Sequence, residues 1–413
     1  MVGYCSIAQL NATENNWPTE MASVINTTRL TVAIANVRLP VSQMAMAAFI
    51  QTISTLTEWL QFDRFHDSVF HVSGATTSAR LSIFSAPQLK QVYVQPNMHI
   101  RELYIYKTAI EYLPRGLRNM INLEILQVHA GKLTQFNLGS LSSSQRLSLV
   151  DLSNNRVASL VGIGNTVNIA MLELSVNELS VVDMAFFRQI ENLTYLNLED
   201  NRITRIECSQ PVSFNSLAQL SLATNQLSTF QTPGMEFPEL VDLVLAGNSL
   251  TSIPRNLAKY PVLQRLDLNR NKIALADLAT IRLARNLTSL LLRENRITSI
   301  VCSSPVSHDR LQTILLNSNQ LERLNFSGCN FPKLTTLAMR SNKFSVVPSN
   351  VFQAFPAVRI SLEGHQFRCD DLLSYNKELK ERRLYVNTVW GSAPCPTNGD
   401  FLIGQQEKVC CVE

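Results

Sequence analysis

The eleven residues Leu217-Ala-Gln-Leu220-Ser-Leu222-Ala-Thr-Asn225-Gln-Leu227 decide the fold of this chain. The phrase L-x-x-L-x-L-x-x-N-x-L recurs with its asparagine at 155, 177, 201, 225, 248, 271, 295, 319 and 342, steps of 22 to 24 residues. Its fourth and sixth positions alternate inward with the two-residue period of a short strand. The asparagine carries two N–H donors and an acceptor, so it can satisfy backbone groups where the chain turns out of that strand, and stacked copies form a ladder. One such unit cannot bury its own apolar edge. Stacked units can, and the chain is therefore read as a solenoid.

The phrase is that of a leucine-rich repeat. The expected fold is an α/β repeat solenoid, a horseshoe with short parallel strands on its concave face. Twelve clear repeats run from about residue 100, with Thr108, Gly131 and His365 in the asparagine slot at the ends. Earlier, Val32-x-Ile34, Leu60-x-Phe62 and Leu81-x-Ile83 look like strands of degenerate repeats whose register the sequence leaves open. The expected organisation is an N-terminal cap over 1–30, the solenoid over 31–367 and a cysteine-containing cap over 368–413. Within that last cap, Asp370 to Arg383 reads as helical and Gly391 to Gly404 as loop. In the variable half of each repeat, Leu160, Ile206, Ile253, Ile300, Leu324 and Val347 are expected to pack inward, as are Phe187, Leu257 and Phe352.

Composition excludes several functions. A net charge of +4 is too weak for nucleic-acid binding, and the 36 Lys and Arg are dispersed without a set of stacking aromatics. The richest apolar stretch, Val41 to Leu60, is interrupted by Gln43, Gln51, Thr52 and Glu58 and is not a membrane span. No cofactor motif or metal spacing is present, so neither group is expected. No apolar signal segment opens the chain; either it has been removed or the protein is cytosolic.

Sequons and cysteines favour secretion. Glycan acceptors occur at Asn11, Asn26, Asn192, Asn286 and Asn325, and Asn192 and Asn286 stand just before the first leucine of a repeat, at a solvent-facing corner. Four of eight cysteines (Cys369, Cys395, Cys410 and Cys411) fall where the repeats stop, where a disulfide-tied cap can cover the open end of the core. Adjacent cysteines bridge each other only under strain, so Cys410 and Cys411 should each take a distal partner. Cys208 and Cys302 share a repeat phase four repeats apart, roughly 20 Å, too far to pair. Cys302 and Cys329 are one repeat apart and within reach. Cys208 is then a buried thiol or apolar fill, and Cys5 is open to a local partner or to another chain.

The outward strand positions show Tyr104 and Tyr106 early, Asp151, Glu173, Tyr195, Glu199, Asp200 and Asp242 in the middle, and Arg265, Asp267, Arg270, Arg293, Arg340 and Arg359 late. The expected working surface is this concave face, acidic in the middle and basic toward the C-terminus, docking a protein with tyrosine anchors. His129, Asp151 and Ser153 fall on neighbouring strands, yet neither a nucleophile elbow nor an oxyanion nest accompanies them. The expectation is a binder and not an enzyme.

The cap carries a resemblance. His365-Gln-Phe-Arg-Cys369-Asp-Asp-Leu-Leu, a lone Cys395 and the adjacent pair Cys410-Cys411 together resemble the secreted mosquito leucine-rich-repeat immune proteins. Phe367 stands where that family often has Trp, and no heptad region follows Cys411. The resemblance implies a haemolymph protein of innate immunity whose partner is a complement-like thioester protein or a second leucine-rich-repeat chain. It also implies dimerisation through a coiled coil beyond Glu413; without heptads, monomer or weak dimer is expected. Two other readings stay open, the truncated ectodomain of a membrane or matrix adhesion receptor and a structural scaffold.

Overall fold

A computed structural model describes residues 3–7, 10–11, 30–35, 37–38, 43–55, 57–162 and 166–413. They fall into two compact units, one of Met1–Ile203 with Glu207–Leu217, the other of Thr204–Ile206 with Ala218–Glu413. Each unit is a stack of parallel strands, one per repeat.

In the first unit the strands Gly3–Ile7, Leu30–Ala35, Thr57–Asp63, Arg80–Phe84, Glu102–Tyr106, Ile125–His129, Leu149–Asp151, Met171–Glu173 and Tyr195–Asn197 follow one another in a parallel sheet. The sheet thus starts inside the stretch assigned to the N-terminal cap. The remainder of residues 1–29, and Asn26 with them, lies outside the described residues, as do the side chains of Cys5 and Asn11. In the second unit the parallel series runs from Gln219–Ser221 through Asp242–Val244, Arg265–Asp267, Ser289–Leu291, Thr313–Leu315, Thr336–Ala338 and Arg359–Ser361 to Leu384–Tyr385.

The strands form where the leucine alternation demands them. Leu126 and Val128, and Leu172 and Leu174, are wholly buried, while Gln127 and Glu173 between them are only half-buried. From Thr57–Asp63 to Arg359–Ser361, a left-handed residue follows the strand one position before the asparagine slot: Arg64, Ser85, Lys107, Ala130, Asn154, Val176, Asp200, Thr224, Gly247, Arg270, Glu294, Ser318, Ser341 and Gly364 all have φ between 51° and 91°. That conformation turns the chain out of the sheet and points the next side chain inward. It also fixes the register left open in the sequence. The slots that follow Arg64 and Ser85 are Phe65 and Ala86, both fully buried, so these two early repeats fill the ladder position with apolar groups.

The asparagines make the expected bonds. Asn177 Nδ2 donates to the carbonyls of Leu152 (3.0 Å) and Leu174 (3.1 Å), and its Oδ1 accepts from the Val157 amide at 2.8 Å. His365 serves the same slot: its Nε2 accepts from the Asn342 amide at 3.0 Å and its Nδ1 donates to the Leu362 carbonyl at 2.7 Å. Burial holds the His365 pKa below the usual value, which keeps Nε2 an acceptor. Asn387 continues the ladder beyond residue 367, accepting from the Gly364 amide and donating to the His365 carbonyl.

Behind the strands, Ile253, Ile300, Leu324, Val347, Phe187 and Leu257 are buried as expected. Leu160, Ile206 and Phe352 are half-buried, and Phe352 carries the Arg383 guanidinium over its ring at 5.1 Å. Short helices Cys369–Leu373 and Asn376–Lys380 occupy the helical part of the C-terminal cap. The expected loop from Gly391 to Gly404 contains a strand, Gly399–Leu402. Together with Thr388–Trp390 it flanks Glu407–Cys411 in an antiparallel sheet. Strand pairing there supersedes the turn signals of glycine and proline. Cys369–Cys411 and Cys395–Cys410 tie the cap, with Cα separations of 5.0 and 5.3 Å, and Cys302–Cys329 closes a bridge at 5.8 Å. The backbone passes so near the first bridge that a Cβ at Gly399 would meet Cys369 Sγ at 2.6 Å. Cys208 is half-exposed rather than buried, and its thiol donates to the Gln210 carbonyl at 2.9 Å. Among the described residues, no helix is long and apolar enough to cross a membrane.

Candidate functional site

The outward positions of the first unit line up in lateral rows because the parallel register is unbroken from strand to strand. One row reads Trp59, Arg80, Glu102, Ile125, Leu149, Met171 and Tyr195; the next reads Gln61, Ser82, Tyr104, Gln127, Asp151, Glu173 and Asn197. A third holds Asp63, Phe84, Tyr106 and His129. Neighbours along a row are about 4.8 Å apart, the strand spacing, which suits ring-on-ring contact.

At one end the rows form an aromatic platform. Phe84 and Tyr106 stack at 4.8 Å with 6° between planes, and Tyr104 stacks beside Tyr106 at 6.2 Å. Trp59 tilts against Tyr104 at 6.4 Å, and the His129 ring meets Tyr106 edge-on at 5.6 Å. Polar groups lock the rings: Trp59 Nε1 donates to Ser82 Oγ at 2.7 Å, Tyr104 Oη donates to Glu102 Oε2 at 2.6 Å, and Tyr106 Oη donates to Gln127 Oε1. Burial, with the Asp151 charge adding to it, pushes the Tyr106 phenol up to about 12. Burial likewise raises Tyr104, reinforced by Glu102, so both hydroxyls stay protonated donors. Pre-ordered rings lose little freedom on docking, which is why such platforms anchor partners.

Farther along the same face the chemistry becomes acidic with an apolar margin. Asp151 and Glu173 are register partners on adjacent strands, and Ile125, Leu149 and the 40%-exposed Met171 run beside them. Burial raises the Glu173 carboxyl above its usual range; hydrogen bonds with Asn197 and Tyr195 oppose this, and the charges of Asp151 and Glu199 add to it. Burial also raises Tyr195, helped by Glu173. Glu199 and Asp200 are exposed at the strand end.

His129, Ser153 and Asp151 do meet. Ser153 Oγ lies 2.8 Å from His129 Nδ1 and donates to Asp151 Oδ1 at 2.6 Å, while Asp151 Oδ1 also accepts the Ser153 amide at 2.9 Å. The serine has one proton and gives it to the carboxylate, so Nδ1–H must donate to Oγ. The serine stands between imidazole and carboxylate, the reverse of a catalytic triad, in which the histidine stands between the other two. The arrangement positions the His129 ring against Tyr106.

The late arginines of the second unit differ from the expected basic surface. Arg265 bridges Asp242 (3.2 Å) and Asp267 (2.7 Å), Arg270 pairs with Glu294 (3.0 Å) and Arg340 with Glu363 (2.7 Å). Asp267, expected to face outward, is only 6% exposed; burial raises its pKa, and the Asn269 amide, Arg265 and Arg293 pull it back. Arg265, Arg270 and Arg340 are thus matched by neighbouring carboxylates that a count of arginines overlooks, while Arg293 and Arg359 are exposed as expected.

Trp59, Arg80, Phe84, Ile125, Leu149 and Met171 were missed as site residues in the sequence. The repeat phase exposes Ile125, Leu149 and Met171 once outward positions are read for apolar as well as charged groups. The first three need the early register that Phe65 and Ala86 conceal. Of the sequon residues described, Asn192 and Asn325 are exposed and Asn286 is half-buried, donating to the Pro261 carbonyl at 2.6 Å.

Residues 167–227 match the family model for the leucine rich repeat. Human leucine-rich repeats and immunoglobulin-like domains protein 3 is 31% identical over 163 residues, 38% of this chain and 14% of that protein. Lumican from Gallus gallus is 28% identical over 275 residues, 64% of this chain and 66% of lumican. The chain thus spans less than two thirds of either relative's length. Among solved structures, the LRIM1/APL1C complex aligns with a TM-score of 0.55 at 18% identity over 84% of this chain and 68% of that chain, a likeness of fold. This chain has the fold of a leucine-rich-repeat solenoid.

Proposed function

We propose that this chain is an extracellular protein-binding module of innate immunity that docks its partner on the strand face of residues 57–201. The observation that carries the docking surface is the run of stacked rings, Phe84, Tyr106 and Tyr104, open on one face and bordered by apolar and acidic rows. Ordered aromatics in a setting of mixed polarity are the usual hot spots of protein interfaces. Three disulfides and exposed sequons suit an oxidising compartment. The partner we favour is a complement-like thioester protein or a second leucine-rich-repeat chain, in keeping with the cap motif and with a structural neighbour that is itself a complex. Surface plasmon resonance of the whole chain against both candidates tests this. Tyr106→Ala should speed dissociation at least tenfold, the effect of losing an anchor worth about 1.4 kcal/mol or more. Unchanged rates remove the platform from the interface.

A matrix role is the second reading, favoured by the likeness to lumican over 64% of the chain. It predicts retention on an extracellular-matrix preparation through the same face, and no complex with a thioester protein.

A further inference from the structure

Arg80 displays how the strand face handles a guanidinium. Its Nε lies 2.9 Å from Glu102 Oε2, and its guanidinium carbon sits 5.7 Å from the centre of the Trp59 ring. Glu102 in turn accepts the Tyr104 hydroxyl at 2.6 Å. Ring, guanidinium, carboxylate and phenol form one connected group, using the planar fork and stacking that set arginine apart from lysine.

The same parts recur farther along the face without the cation. Asp151 and Glu173 stand side by side on adjacent strands, with Tyr106 and His129 on one flank and Tyr195 on the other. The Tyr195 phenol and the Glu173 carboxyl influence each other electrostatically, the counterpart of the Glu102–Tyr104 contact. Among the described residues no lysine or arginine comes within ion-pair distance of either carboxylate; the nearest cationic candidate is His129 Nδ1, 4.0 Å from Asp151 Oδ2. The second unit offers a contrast, since Asp242, Asp267, Glu294 and Glu363 all have an arginine in place. Two neighbouring carboxylates, both half-buried, repel each other and are relieved by a shared cation.

We propose that the Asp151–Glu173 pair, framed by Tyr106 and Tyr195, receives an arginine side chain of a protein partner, held as Arg80 is held by Glu102 and Trp59. The inference rests on the docking surface proposed above and specifies what the partner brings to it: an exposed arginine-bearing segment. Arginine is favoured over lysine because one guanidinium can donate to both carboxylates at once while lying against a ring.

Labelled hexa-arginine, hexa-lysine and hexa-glutamate peptides, titrated with the whole chain by fluorescence anisotropy, test the site. The chain is net +4, so its overall charge opposes a cationic peptide and binding reports a local feature. Hexa-arginine should bind in a salt-sensitive manner, at least threefold tighter than hexa-lysine, and hexa-glutamate should not compete for it. Asp151→Asn with Glu173→Gln should weaken hexa-arginine at least tenfold. The asparagine still accepts the Ser153 amide, and Glu173→Gln alone provides a milder variant at a half-buried position. Glu239→Gln with Glu322→Gln makes the same change of net charge at exposed positions elsewhere and should leave binding intact. Absence of hexa-arginine binding, equal affinity for hexa-lysine, or equal loss in the control pair overturns the proposal. A protein partner lost in Tyr106→Ala yet untouched by the Asp151/Glu173 variant overturns the arginine inference alone. A partner untouched by both overturns the docking surface and the inference with it.

Discussion

Replacing Asn271 by leucine tests the ladder where its bonds can be counted. Asn271 is 6% exposed; its Nδ2 donates to the carbonyls of Leu245 (3.0 Å), Leu268 (3.1 Å) and Asn269 (3.1 Å), and its Oδ1 accepts the Leu250 amide at 2.9 Å. The three carbonyls each keep a second donor, from Asn248, Asn295 and the Gly247 amide respectively. Their loss is thus that of ordinary bonds, two at most because Nδ2 has two hydrogens, or about 1–3 kcal/mol together. The Leu250 amide has no such reserve, and stranding a buried N–H adds about 1–3 kcal/mol. The expected cost of Asn271→Leu is therefore about 2–6 kcal/mol. Lys272→Ala, at the exposed neighbouring position, should stay within about 0.5 kcal/mol. Urea denaturation followed by far-UV circular dichroism measures both. Amide exchange at Leu250 gives the local answer, because a repeat array can open in parts. Equal destabilisation by the two variants, or undiminished protection of the Leu250 amide in Asn271→Leu, refutes the ladder accounting.

Val176 is β-branched yet left-handed, with φ of 53°, in a slot that glycine fills at 247 and 364. Val176→Gly should raise stability by about 1 kcal/mol, read as a higher denaturation midpoint, and a lower midpoint would show that its side chain packs usefully. In the C-terminal cap, Arg382 hydrogen bonds hold the Glu407 carboxyl below its ordinary 4.5. A depressed carboxyl contributes stability that is complete above 4.5 and lost as pH falls through the depressed value, so Glu407→Gln should cost about 1.5–3 kcal/mol at pH 7 and progressively less below 4.5. A cost independent of pH would assign the loss to packing. Opening Cys369–Cys411, which closes 42 residues, should cost about 4 kcal/mol, and opening Cys395–Cys410, which closes 15, about 3 kcal/mol, as Cys→Ser pairs compared by denaturation. The reverse order would mean that the cap's bridges act through native contacts.

The fold was legible because the asparagine slot demands one side chain and repeats it. Where the slot tolerates Phe65 or Ala86 the phrase disappears, although the backbone is unchanged: the left-handed residue before it is Arg, Ser, Lys, Ala or Val in different repeats and leaves no mark in composition. The site was half legible for the same reason. Tyr104, Tyr106, Asp151 and Glu173 follow from the regular phase, whereas Trp59, Arg80 and Phe84 need the hidden register. Of the late arginines, Arg265, Arg270 and Arg340 are paired, which the sequence did not show because exposure and pairing are separate properties. Arg265 lies on the outward face, but Asp242 one strand back and Asp267 two residues on neutralise it. In the cap, the adjacent Cys410 and Cys411 announced two distal bridges, but glycine and proline obscured the antiparallel strands that carry them.

Hydroxyl-radical footprinting of the complex with a thioester protein or second repeat chain tests the central claim, that the strand face of residues 57–201 is the working surface. The docking account predicts that Trp59, Tyr104, Tyr106 and Met171 lose reactivity on complex formation. Tyr112 and Trp390, 59% and 63% exposed outside that face, should remain as reactive as in the isolated chain. Protection of Tyr112 or Trp390 with the four strand-face residues still fully oxidised would contradict it.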